Sequence, residues 1–240
     1  MQYTQKFQKR EKKMKEFESL KTVLNKKVLT VVFNRPNEMN TFSGQMLKDI
    51  LELLDEAEKD DDIRAVIFTG SGKAFCAGAD LSSGEDTFDM SDKGKSDAEV
   101  KRDTGGILTL RLFDFKKPLI AAINGAAVGV GVTMTLPMDV RICSEKAKFG
   151  FVFAKRGIVP EACSSWFLPK IVGISNALQW CLSGKIFIQS CPSLFMYLVA
   201  AIRAASICLE VINTEPRALI PNIPLESWFP RDESPFIFPF

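Results

Sequence analysis

Leu119-Ile120-Ala121-Ala122-Ile123-Asn124-Gly125-Ala126-Ala127-Val128-Gly129-Val130-Gly131 reads as a buried strand that runs straight into a glycine-punctuated loop. The same order stands upstream, where Ala65-Val66-Ile67-Phe68-Thr69 ends at Gly70 and feeds Ala74-Phe75-Cys76-Ala77-Gly78-Ala79-Asp80-Leu81. Loops of this kind can turn backbone N–H groups toward a ligand, and two of them together can hold the oxygen of a polarised carbonyl. The pair points to acyl chemistry performed largely by main chain. Gly125, Gly129 and Gly131 do not fit G-x-G-x-x-G and precede no Lys-Ser or Lys-Thr, so a nucleotide triphosphate site is disfavoured.

Outward from these loops, strands alternate with helices. Val28-Leu29-Thr30-Val31-Val32-Phe33 is a β-branched run stopped by Asn34-Arg35-Pro36-Asn37, and the folded part is expected to begin there. Between Gln45 and Glu58 the apolar residues Met46, Leu47, Ile50, Leu51, Leu53, Leu54 and Ala57 recur at helical spacing, with Ser43 as cap. A further helix is predicted over Gly106 to Phe115, and Asp139 to Cys143 is a fourth strand. Ser82 to Lys101 is polar and acidic, with little periodicity. The alternation implies an α/β fold with right-handed crossovers and largely parallel pairing.

Composition narrows the chemistry. Apolar residues at 46% and charged residues at 25% of 240 residues match a soluble globular chain, and a net charge of +2 argues against a dedicated nucleic-acid binder. Histidine is absent, which removes Ser-His-Asp and Cys-His catalysis and every histidine metal site. Six cysteines (Cys76, Cys143, Cys163, Cys181, Cys191 and Cys208) show no C-x-x-C spacing, so free thiols and no metal are expected. The lysine-dense segment up to residue 20 has no apolar core and reads as a solvated arm rather than a leader.

Taken in order, Asn34-Arg35-Pro36, Gly72-Lys73-Ala74-Phe75-Cys76-Ala77-Gly78-Ala79-Asp80-Leu81 and Ile123-Asn124-Gly125-Ala126-Ala127-Val128-Gly129-Val130-Gly131 resemble the crotonase, or enoyl-CoA hydratase/isomerase, superfamily. Asp139 and Gly157-Ile158-Val159-Pro160-Glu161 extend the resemblance, which covers roughly Lys21 to Gly184. It implies a spiral of β-β-α units that binds an acyl-CoA thioester and stabilises its enolate through two backbone N–H groups, here those of Ala79 and Val130. Removing one such donor typically costs about 3 to 4 kcal/mol. Similar proteins hold coenzyme A by main chain near the Arg-Pro turn and the first loop, here around Asn37, Glu38, Met39 and Ala77. Coenzyme A is then part of the substrate, and no separate cofactor is implied. For Arg35, a surface-turn role and a coenzyme A contact stand level.

The proton carrier is where the chain becomes selective within that superfamily. Hydratases of this kind use two glutamates, and the matching positions here are Thr133 and Phe153, neither of which ionises usefully. Glu161, following Pro160, resembles instead the catalytic glutamate of peroxisomal Δ3,Δ2-enoyl-CoA isomerases. One carboxylate suffices to move a double bond. A plainer reading puts Glu161 in the first turn of a helix through Ser164, Trp166 and Phe167, where its charge suits the dipole. Hydration would need a second acid, for which Asp80, Glu85, Asp86 and Asp89 are the candidates.

Three segments result: a charged arm at 1–20, an acyl-CoA-binding core at 21–185, and a divergent helix and Pro-rich tail at 186–240. Crotonases continue with helices that complete the acyl pocket and pack subunits into homotrimers, whereas Leu194 to Ile212 is apolar and the following stretch is rich in Pro and Phe. Arg203 and Glu210 make a buried or oligomer-forming helix a better reading of that run than a membrane span. The abrupt loss of resemblance suits an alternative or shifted-frame terminus in place of the family's usual one. Three outcomes stand open: an isomerase, a hydratase with a further acid, or a non-catalytic acyl-CoA-binding or interaction protein with an incomplete pocket. Phe238-Pro239-Phe240 is no peroxisomal signal, so peroxisome, mitochondrion and cytoplasm are not distinguished for a chain expected to be soluble and intracellular.

Overall fold

A computed structural model describes residues 15–82 and 103–188. The arm before residue 15, the acidic stretch at 83–102 with Glu85, Asp86 and Asp89, and everything after residue 188 lie outside the described residues.

Among the described residues nine strands form two sheets. The larger runs β1-β2-β3-β5-β7, from β1 (Leu20–Asn25), β2 (Val28–Phe33), β3 (Ala65–Gly70), β5 (Leu119–Ile123) and β7 (Val140–Cys143). The smaller runs β4-β6-β8-β9, from β4 (Ala74–Cys76), β6 (Ala126–Val128), β8 (Lys148–Gly150) and β9 (Ile186–Ile188). Only the outermost pairs, β1 with β2 and β8 with β9, are antiparallel. After each strand of the large sheet from β3 onward the chain crosses to the small sheet. After β4 and β6 a helix returns it to the large sheet, so the repeat is β-β-α and the path is a spiral, whereas the helices after β8 lead to β9 on the edge of the small sheet.

Two helices show why this sequence takes that path. In α1 (Gly44–Lys59) the residues Met46, Leu47, Ile50, Leu53, Leu54 and Ala57 are buried, and the Ser43 hydroxyl accepts from Met46 N–H at 3.2 Å. Each large apolar side chain on that face contributes about 1.5–3 kcal/mol of burial. Helix α2 (Thr104–Phe113) opens two residues ahead of the start predicted at Gly106, with Asp103 as its cap. Between the sheets, Phe33 on β2 meets Phe75 on β4 edge-on at 5.1 Å and Phe68 on β3 at 6.0 Å. That aromatic contact seats the strand leading into the first glycine loop.

The chain enters the sheet earlier than Val28. Strand β1 pairs with β2 along its whole length, with Ser19 and Leu20 already buried, and the hairpin turns on Lys26 and Lys27 at φ of 45° and 67°. Such values favour glycine or asparagine, which is why two lysines gave no turn signal.

The second glycine loop lies directly on the first strand of the small sheet. A Cβ on Gly131 would overlap the Cys76 carbonyl oxygen, a backbone atom that cannot swing aside. Gly129 takes φ 53° and ψ −126°, a conformation open to glycine alone in practice, and its N–H donates to the Gly150 carbonyl at 2.9 Å. From there the chain enters the short helix α3 (Val130–Thr133).

Candidate active site

The first loop is set by a single parallel bridge. Phe42 N–H donates to the Gly78 carbonyl at 2.8 Å and Asp80 N–H to the Phe42 carbonyl at 2.9 Å, pairing Phe42 with Ala79. In such a bridge one residue uses both its own polar groups and its partner's N–H points the other way. Ala79 N–H is therefore turned away from Phe42. Val130 N–H opens α3 and has no acceptor within the helix. Among the described residues no acceptor meets either N–H.

The Arg-Pro turn and the first loop are joined by a residue the sequence did not single out. Asn40 is fully buried; its Oδ1 accepts from Arg35 N–H at 2.9 Å, and its Nδ2 donates to the carbonyls of Ser71 and Ala74 at 2.9 and 2.8 Å. Asn37, Glu38 and Met39 form the exposed side of this turn. Ala77 N–H already donates to the Met39 carbonyl at 3.1 Å, so the four residues are adjacent but that N–H is engaged.

Arg35 and Asp80 are occupied by each other. The guanidinium donates to the Thr41 carbonyl and to Asp80 Oδ2, both at 2.8 Å, with both side chains mostly buried. The Arg35 hydrogen bond first, then the Ser82 N–H, hold the Asp80 carboxyl below its usual range. An acid so stabilised in its ionised form is a poor proton donor.

Glu161 stands apart from both loops in sequence and is brought to the second by α3. Thr133 Oγ1 donates to Glu161 Oε1 at 2.8 Å, one turn along from Val130, and Thr133 is fully buried. Burial, the largest influence, pushes the Glu161 carboxyl up to about 7; the Thr133 bond lowers it and the charge of Asp103 raises it. Phe153, the other position where hydratases carry glutamate, is packed in the core. Glu161 is not in a helix. It precedes α4 (Ser164–Val172) by three residues, so the helix-dipole account of its charge does not hold.

Among the described residues no three His, Cys, Asp or Glu side chains converge as a metal site would need, and no helix is long and apolar enough to cross a membrane. The apolar run at Leu194 to Ile212 lies outside the described residues.

Two sheets wound by β-β-α repeats, with two glycine loops abutting beside a partly buried carboxylate, define a protein of the crotonase fold. A solved enoyl-CoA hydratase/isomerase from Pseudoalteromonas atlantica T6c superposes with a TM-score of 0.69 at 30% identity, covering 83% of this chain and 78% of its own. The family model for enoyl-CoA hydratase/isomerase matches residues 24–190, and the chain belongs to that family. An enoyl-CoA hydratase of Alternaria alternata is 39% identical over 192 residues, 80% of this chain and 61% of its own length. The enoyl-CoA delta isomerase 2 of Rattus norvegicus is 37% identical over 163 residues, 66% of this chain and 39% of that protein. The chain thus spans about three fifths of the Alternaria relative it matches.

Proposed function

We propose that this chain binds an acyl-CoA thioester and moves a double bond from carbon 3 to carbon 2 of the acyl group. The observation that carries the reading is Glu161: a largely desolvated carboxylate, pushed up to about 7 and hydrogen-bonded to α3, with neutral Thr133 and Phe153 where a hydratase has its pair. Its ionised form takes the proton from carbon 2 of a 3-enoyl thioester, and the electron pair left there delocalises onto the thioester oxygen and, through the conjugated double bond, onto carbon 4. The N–H groups of Ala79 and Val130 receive that charge. Protonated Glu161 then returns the proton to carbon 4, leaving a 2-enoyl thioester and a regenerated carboxylate. A base near neutrality suits this exchange, since it must both accept and give back at working pH. The exposed turn at Asn37, Glu38 and Met39, next to Ala77, is where coenzyme A is expected to lie.

Hydration is the second reading, favoured by the name of the Alternaria relative. Asp80, tied to Arg35, does not supply its second acid. Assay with 3-enoyl-CoA and 2-enoyl-CoA, beside E161Q, tests the choice. Isomerisation is expected, with turnover about a hundredfold or more lower in E161Q. Water addition to 2-enoyl-CoA would favour the hydratase, isomerisation that survives the substitution would remove the base, and CoA binding without turnover would leave the scaffold reading.

A further inference from the structure

The turn that carries Glu161 is strained, and the strain has an identifiable restraint. Ala162 and Cys163 follow it at φ of 53° and 55°, left-handed values that cost side-chain-bearing residues about 1–2 kcal/mol each. Such a pair persists only where its surroundings hold it. One hold is local: Ser164 N–H and its hydroxyl both donate to the Glu161 carbonyl, at 2.9 and 2.5 Å.

The other hold comes from a distant element. Asp103, the cap of α2, accepts with Oδ1 from Gly106 N–H at 2.6 Å and from Ala162 N–H at 3.3 Å. Gly105 sits between: a Cβ there would overlap Glu161 Oε2 and stand 3.0 Å from both Asp103 Oδ1 and Ala162 Cβ. Two carboxylates therefore flank one glycine, and the missing side chain is what lets them do so.

We propose that Asp103 is the positioning residue of the base, pinning the Ala162 turn to the first turn of α2 while placing a second negative charge beside Glu161. This rests on the reading of Glu161 as proton carrier. Oδ1 accepts both N–H groups, one from α2 and one from the Ala162 turn, which is what gives Asp103 its holding role. Its neighbouring charge also acts in the direction found for Glu161, since a like charge disfavours ionisation. The Thr133 hydroxyl from α3 bonds Glu161, and the Cys76 thiol on β4 lies within reach of its charge. Burial pushes Cys76 up to about 12, so it stays neutral while Glu161 titrates.

The test follows the carboxyl directly, by NMR of protein labelled in its glutamate carboxyls, with E161Q assigning the Glu161 signal. D103N keeps an oxygen for both N–H groups and removes the charge. It is expected to weaken proton binding at Glu161 about threefold or more, carrying the acid limb of the isomerase pH profile downward with it. D103A removes charge and acceptor together and is expected to lower turnover about tenfold or more as well, because the base is no longer held in place. A D103N titration that overlays the wild type overturns the proposal, and so does D103A turning over at the wild-type rate. Full activity in E161Q with a shifted titration in D103N would remove the base and leave the Asp103 placement standing.

Discussion

The two glycine loops and the Glu161 turn bring reactive groups to one place by opposite means. In the loops, Gly78 and Gly129 absorb the positive φ values at little steric cost, and Gly131 lets backbone lie on backbone. In the Glu161 turn, alanine and cysteine take left-handed conformations, and Asp103 and Ser164 restrain them. A backbone donor can thus be fixed by the absence of side chains. A side-chain base needs other side chains to fix it, and some of those lie far away in sequence.

The sharpest way to break this contrast is Gly131→Ala. The added methyl meets the Cys76 carbonyl, so the loops must part, and a loss of about 3 kcal/mol or more is expected in the unfolding free energy measured in urea. A variant as stable as the parent would mean that the loops do not depend on that contact.

Next in size is the proton on Glu161. The folded protein keeps it up to about 7, whereas an unfolded carboxyl releases it near the ordinary 4.5. Every step of pH through that window therefore favours the unfolded chain, by up to roughly 3 kcal/mol once the window is crossed. Glutamine cannot ionise, so E161Q is expected to melt higher than the wild type at pH about 8, with the gap closing near pH about 4. Parallel melting curves across that range would contradict the buried, proton-holding carboxyl.

The smallest effect belongs to the first loop. Asp80→Asn removes the charge from the Arg35 pair and is expected to cost about 1 kcal/mol at neutral pH. Because Arg35 holds the Asp80 carboxyl below its ordinary 3.8, the stabilisation is present above that value and lost as pH falls through the lower folded one. The difference between variant and wild type should shrink in the same acid range. A penalty that persists unchanged there would assign it to packing instead.

What could be read in the sequence follows the same division. Strand β5 begins and ends where its apolar run does, and α1 differs from its predicted span by one residue at each end, because period and cap agree. Strand β1 carries no such signal, because its turn uses Lys26 and Lys27 in conformations those residues rarely adopt. Glu161 was named by resemblance, and nothing in Glu161-Ala162-Cys163 announces two left-handed residues. Asp103 carries half a signal. Aspartate before Thr104-Gly105-Gly106 is a recognisable cap, but its bond to Ala162, 59 residues on, exists only in three dimensions. Asn40 likewise looks like any turn asparagine until its amide is seen to tie Arg35 to Ser71 and Ala74.

Because the bridge to Phe42 aims the Ala79 N–H rather than its methyl, the position is blind to ordinary mutational scanning. Replacing Ala79, or the nearly buried Val130, changes packing and leaves the amide hydrogen where it was. A scan that reports tolerance there would say nothing about the donor. Only exchange of the amide for an ester, which deletes the hydrogen and spares the side chain, interrogates the main chain itself.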